Sequence, residues 1–139
     1  MVEIKLEAKD ENLDTVIDFV NEQLDKEKCS SEIKTKFDIA VEEIFINIAH
    51  YAYADDSTGF AVIQMSVEKE PLAIEVTFID WGTPYNPLER PNPDVTAIPL
   101  EKRRNGGMGI YIVKRSMDDV KYQYSDGKNT LTIRKVINS

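Results

Sequence analysis

The sequence predicts an α+β fold: a two-layer sandwich with a mixed, mostly antiparallel sheet and helices on one face. Three observations lead there. Alternating apolar positions mark five strand-like stretches, apolar residues at helical spacing mark three helices, and the order β-α-α-β-β-loop-α-β-β lacks the regular β-α alternation of a doubly wound fold. At 139 residues the chain reads as one domain, 1–139.

The first strand is "VEIKLEA" (2–8), where Val2, Ile4, Leu6 and Ala8 share a face. After polar "KDEN", Leu13, Val16, Ile17, Val20 and Leu24 form a helical stripe. "DKEKCSSE" interrupts it and offers Ser30 or Ser31 as the N-cap of a second helix, expected from Glu32 to Tyr53. "FAVIQMSVE" and "LAIEVTFID" alternate as two further strands, the second ending on Asp80. Residues 82–105 hold most of the prolines and show no periodicity, which in a compact domain points to a lid or binding loop, or else to a disordered segment. "GGMG" (106–109) then opens a third helix carrying Ile110, Val113 and Met117. "DVKYQYS" and "NTLTIRKVI" close the chain as a hairpin turning near Asp126-Gly127.

Composition narrows the function. Twenty-five acidic against 17 basic residues give a formal net charge of −8, with "EKRR" (101–104) the one dense basic cluster. That balance argues against a nucleic-acid binder or a binder of anionic membranes. Cys29 is the only cysteine, no apolar run approaches membrane length, and the first residues lack a charged-then-apolar leader. A cytoplasmic chain is expected.

Three stretches carry chemistry. In "EEIFINIAHYAY" (42–53), Glu43, Asn47 and His50 fall within about 60° of one another on a regular helix, beside an apolar face. An amide oxygen there suits Mg²⁺, and a carboxylate one turn away suits proton acceptance. Alone, the stripe fits equally a helix with one solvated edge. In "DWGTPYNP" (80–87), Asp80 ends a buried strand before a glycine, a place for an acceptor of an exocyclic amine or for an ordinary turn aspartate. Trp81 fits packing better than contact with a base. In "RRNGGMGIYIV" (103–113), glycines at a helix start let backbone N–H groups approach phosphate oxygens, with basic residues alongside. No Gly-Lys-Ser/Thr follows, so it is not a Walker A loop, and a turn with no ligand also fits. Lone His50 gives no zinc set, and hydrolase triads have no support. Tyr51, Tyr53, Tyr122 and Tyr124 read as core or edge packing.

Taken in order, these stretches resemble the N-box and the two glycine boxes of the GHKL ATP-binding fold, shared by histidine kinases, type II topoisomerases and MutL. "GMGIYIVKRSMDDV" is particularly similar to the small bacterial serine protein kinases that act as anti-sigma factors, and the resemblance spans essentially the whole chain. It implies ATP and Mg²⁺ as cofactors, Glu43 as general base and Asn47 as metal ligand. It further implies Asp80 as acceptor of the adenine amine and Gly82 as a residue shaping that pocket. Gly106, Gly107 and Gly109 would line the phosphates, and residues 88–105 would be the ATP lid, closed by Arg103, Arg104 and Asn105. Thr130, or Thr132 close by, would support the adenine end.

The implied activity is phosphorylation of a serine on an anti-sigma-factor antagonist, with a sigma factor as second partner and a homodimer as the family's usual state. The alternative is a non-catalytic, ATP-dependent protein-binding switch of the same fold. The proline-rich "NPLERPNPD" (86–94) departs from the family's familiar lids.

Overall fold

The computed structural model describes residues 1–54, 59–89 and 109–137. Strand β1 (Val2–Glu7) leads through a 3₁₀ turn, Asp10–Asn12, into helix α1 (Leu13–Lys26). Helix α2 (Ser31–Asn47) follows, and Ser30 caps it: its Oγ accepts the Ile33 N–H at 3.2 Å. Strands β2 (Phe60–Lys69) and β3 (Leu72–Asp80) come next, then a 3₁₀ turn at Pro87–Glu89. Helix α3 (Gly109–Ser116), β4 (Asp119–Ser125) and β5 (Lys128–Val136) complete the fold.

The strands form one sheet in the order β1-β2-β3-β5-β4, and every pairing among the described residues is antiparallel. The β4–β5 hairpin turns through Asp126 at φ 56° and Gly127 at φ 78°. Positive φ at both turn residues matches the right-handed twist of the flanking strands, which explains the Asp-Gly pair.

The core lies between the sheet and its helices. Val16, Val20 and Leu24 from α1 meet Phe37, Val41 and Phe45 from α2, over Ile63, Val76, Phe78 and Ile133 of the sheet. Except for Phe45 and Ile133, these are positions that alternation and helical spacing mark as inward; Phe45 lies off the main apolar stripe of α2 and is buried as well. Burial of each large side chain there contributes roughly 1.5–3 kcal/mol.

One departure bears on the site. The α-helix ends at Asn47, and Ile48–Ala52 form a π-helical turn. A π turn advances less per residue than an α turn, so His50 swings away from Glu43 and Asn47. Its Nε2 meets both Asp10 carboxylate oxygens, at 2.7 and 2.8 Å. The expected three-residue stripe is therefore a pair, and the imidazole instead ties the end of α2 to the segment after β1.

Candidate nucleotide-binding site

A cavity opens where the π turn, the end of β3 and the hairpin strands converge. Asn47, Ile48 and Tyr51 line one side, Asp80 and Asn129 the other, and Ile110 of α3 closes an end. The cavity is open to solvent at its mouth and lined mostly by apolar side chains, with a few polar groups converging on it.

Asp80 is 5% exposed among apolar neighbours. Its Oδ1 accepts two hydrogen bonds, from Asn129 Nδ2 at 2.9 Å and from the Gly82 N–H at 2.9 Å. Asp80 lines the cavity, and with both of those donors on Oδ1 its Oδ2 is the oxygen left to accept from a ligand there. Burial pushes the Asp80 carboxyl above the usual carboxylate range, and those two donors oppose the shift without cancelling it. An N–H donor entering the cavity would compensate the desolvated charge further.

Gly82 is required by close approach. A Cβ there would lie 2.1 Å from the Ala52 carbonyl oxygen, and the next residue, Thr83, donates its N–H to that same oxygen at 2.8 Å. The loop after β3 is thus pressed onto the π turn, which fixes the distance between Asp80 and α2. Trp81 alternates to the other side of the strand. Its ring is half-exposed, with the Lys5 ammonium 6.0 Å from its centroid, and it is not part of the cavity wall.

Asn47 lines the cavity from α2, and Glu43 lies one helical turn before it, outside the lining. Asn47 Nδ2 donates to Glu43 Oε1 at 3.1 Å. A carboxylate only accepts, so the amide nitrogen must face it and the amide oxygen turns away. Gly109, the first residue of α3, packs directly on the Glu43 carboxylate: a Cβ there would sit 1.8 Å from Glu43 Cδ. Glycine at this position lets the carboxylate lie against the start of α3, where helix-end charge favours an anion.

Thr130 is not placed against Asp80. It pairs with Ile79, while Asn129 pairs with Asp80, and successive residues of β5 face opposite sides of the sheet. Thr132 shares the face of Thr130, and its hydroxyl meets that of Thr77 at 3.1 Å. Asn129 is the residue against Asp80. Leu131 and Ile133, both buried, fix the inward parity that puts 129 inside, a signal already present in the strand's alternation. Two of the tyrosines read as packing also belong to the cavity: Tyr51 lines its mouth, and Tyr122 donates its hydroxyl hydrogen to Asn129 Oδ1. Arg103, Arg104, Asn105, Gly106 and Gly107, and all but the first two residues of the expected 88–105 lid, lie outside the described residues.

A helix–sheet cavity with an inward strand-end aspartate and a helix-borne asparagine defines a class of protein, the GHKL-type nucleotide-binding domains. Residues 6–135 match the histidine kinase-like ATPase domain, and the chain belongs to that family. Among curated relatives, the "Serine-protein kinase RsbW" of Oceanobacillus iheyensis is 32% identical over 87 residues, covering 60% of this chain and 53% of that protein. The RsbW of Listeria innocua is 28% identical over 102 residues, covering 70% of this chain and 63% of that protein. The chain therefore spans a little over half the length of these relatives.

Among solved structures, the blue-light activated histidine kinase of Erythrobacter litoralis superposes with a TM-score of 0.57 at 17% identity, covering 78% of this chain and 32% of that one. Its histidine kinase domain gives 0.52 at 18% identity, covering 76% and 45%. These likenesses establish the fold. No helix among the described residues is long and apolar enough to cross a membrane.

Proposed function

We propose that the chain is an ATP-dependent serine protein kinase of the anti-sigma type, acting in the cytoplasm on an anti-sigma-factor antagonist and also binding a sigma factor. The observation that carries this reading is one cavity bringing Asp80 and Asn47 together, with Glu43 one turn beyond, in a chain whose family is that of kinase-like ATPases. The serine-kinase names of its relatives support the activity and the kind of partner.

In this reading Asp80 Oδ2 accepts the adenine amino hydrogen, and Gly82 keeps the base wall in place. Magnesium fits the far end: the amide oxygen of Asn47 is a hard donor turned away from Glu43, and Mg²⁺ characteristically takes few protein oxygens. No group of three or more His, Cys, Asp or Glu among the described residues makes a metal site by itself, so the nucleotide's own oxygens would complete the shell. When bound, the ion would neutralise charge on the phosphates.

Glu43 draws the proton from an incoming serine hydroxyl. The serine oxygen forms its bond to the γ-phosphorus, the bond from that phosphorus to the β,γ-bridging oxygen breaks, and ADP leaves. Phosphoryl transfer depends chiefly on positioning and electrostatic stabilisation, so this short set of groups suffices. Gly106, Gly107, Gly109, Arg104 and Asn105 complete the phosphate end in this proposal.

The test incubates the purified chain with Mg-ATP and candidate antagonist proteins, and reads phosphoserine by mass spectrometry. Transfer by the wild type, lost in Glu43→Ala while ATP still binds, supports the kinase reading. ATP binding that changes association with the antagonist, with no phosphate gained, replaces it with the non-catalytic switch.

A further inference from the structure

We propose that Asn129 is a positioning residue that leaves the Asp80–Asn129 pair acceptor-only toward the cavity and so selects purines bearing a 6-amino group. The inference rests on the nucleotide reading above and goes beyond it by assigning base selectivity to a residue other than Asp80.

Asn129 is 6% exposed, and both ends of its amide are engaged. Its Nδ2 lies 2.9 Å from Asp80 Oδ1, 3.0 Å from the Thr83 carbonyl oxygen and 3.4 Å from that of Gly82. Its Oδ1 accepts the Tyr122 hydroxyl hydrogen and the Tyr85 N–H, the latter at 3.3 Å. Rotating the amide by half a turn would face its oxygen toward three oxygens and its NH₂ toward two donors. One orientation is therefore locked by partners from β3, β4 and the loop after β3.

Two consequences follow for a base. With Asn129 and the Gly82 N–H both on Oδ1, Asp80 offers Oδ2 to the cavity, and only as an acceptor. Asn129 itself has two N–H hydrogens and three protein oxygens around them, so no donor is left for a carbonyl. An exocyclic amine finds an acceptor. A 6-oxo group in the same place would set lone pairs against a carboxylate, and a buried polar mismatch of this kind discriminates strongly.

The experiment is calorimetric titration with Mg-ATP and with Mg-ITP, which replaces the 6-amino group by 6-oxo. The wild type should prefer ATP by at least about tenfold. Asn129→Ala should bind ATP more weakly and lose most of that preference, because Asp80 can then rotate and Thr83 is released. Asn129→Thr, whose hydroxyl can still donate to Asp80, should recover part of it. Tyr122→Phe removes one of the two groups holding the amide oxygen and should lower the ratio by a smaller factor, which keeps the test alive if Asn129→Ala does not fold.

A purely structural role for Asn129 would weaken both nucleotides together. An ATP-to-ITP ratio unchanged in these variants, with the wild type selective, overturns this inference and leaves the nucleotide reading standing. A folded wild type that binds neither nucleotide overturns both.

Discussion

The two ends of the cavity are built differently. At the base end Asp80 and Asn129 are buried on neighbouring strands, joined by a hydrogen bond and tied to the loop after β3 through Gly82, Thr83 and Tyr85. At the other end Asn47, and Glu43 one turn before it outside the lining, are half-buried on a helix, share one side-chain hydrogen bond, and rest against a glycine. The first arrangement is preorganised, since moving any member leaves a buried polar group without a partner. The second has side chains that can shift at little cost, which suits groups meeting a phosphate, a cation and a hydroxyl in turn. On the proposed reading, recognition is fixed in the sheet and the chemistry is carried on the helix.

The sharpest way to break that contrast is Asp80→Asn. Losing a buried charged acceptor should cost about 1.5–3 kcal/mol in ATP affinity, on the order of tenfold to 150-fold. The same change removes a desolvated charge, so the ligand-free variant should melt no lower than the wild type. Calorimetry and thermal melts read the two effects separately.

Gly82→Ala comes next. Its Cβ would meet backbone at 2.1 Å, and backbone cannot swing aside as a side chain can, so the variant should lose about 1–3 kcal/mol of stability by denaturant titration. Gly109→Ala offers the informative contrast: the nearest atoms to its Cβ would be the far end of the Glu43 side chain, which can move. The fold should survive, ATP should bind within a few-fold of wild type, and serine phosphorylation should drop by roughly tenfold as the base is displaced. Equal destabilisation by the two glycine variants would erase the proposed difference between the ends.

The smallest expected effect is on pH dependence. Asp80 titrates above its unfolded value, so the folded chain holds that proton more tightly. Stability from this group therefore falls as pH rises from the ordinary carboxylate range through the raised pKa, while affinity for an amine donor rises over the same window as the carboxylate ionises. Melting temperatures of wild type minus Asp80→Asn, followed from acid to neutral pH, should decline with pH. A flat difference would place Asp80 in an ordinary solvated setting.

Much of this was legible in the sequence, for physical reasons that also mark where legibility ends. Strands β1, β2 and β3 and helix α1 follow from alternation and helical spacing, because each buries a single face. Asp126-Gly127 announces its turn by the positive φ that both residues adopt. Asp80 stood out as a carboxylate ending an apolar strand. His50 was misplaced because a π turn leaves no mark in hydrophobic spacing. Thr130 drew attention by its motif, although the inward parity of Leu131 and Ile133 already selected Asn129. The close contacts that require Gly82 and Gly109 were hidden for another reason. Each makes room for an atom from a distant element, Ala52 in one case and Glu43 in the other, and such contacts exist only once the chain has folded.

The most direct test of the central claim is a magnesium-dependent ATP titration of the folded wild type beside Asp80→Asn, read by calorimetry because the Trp81 ring stands outside the cavity wall. Saturable binding by the wild type, weakened at least tenfold in the variant, is the predicted result. Wild-type binding that the variant leaves unchanged, or no binding at all, would contradict the account.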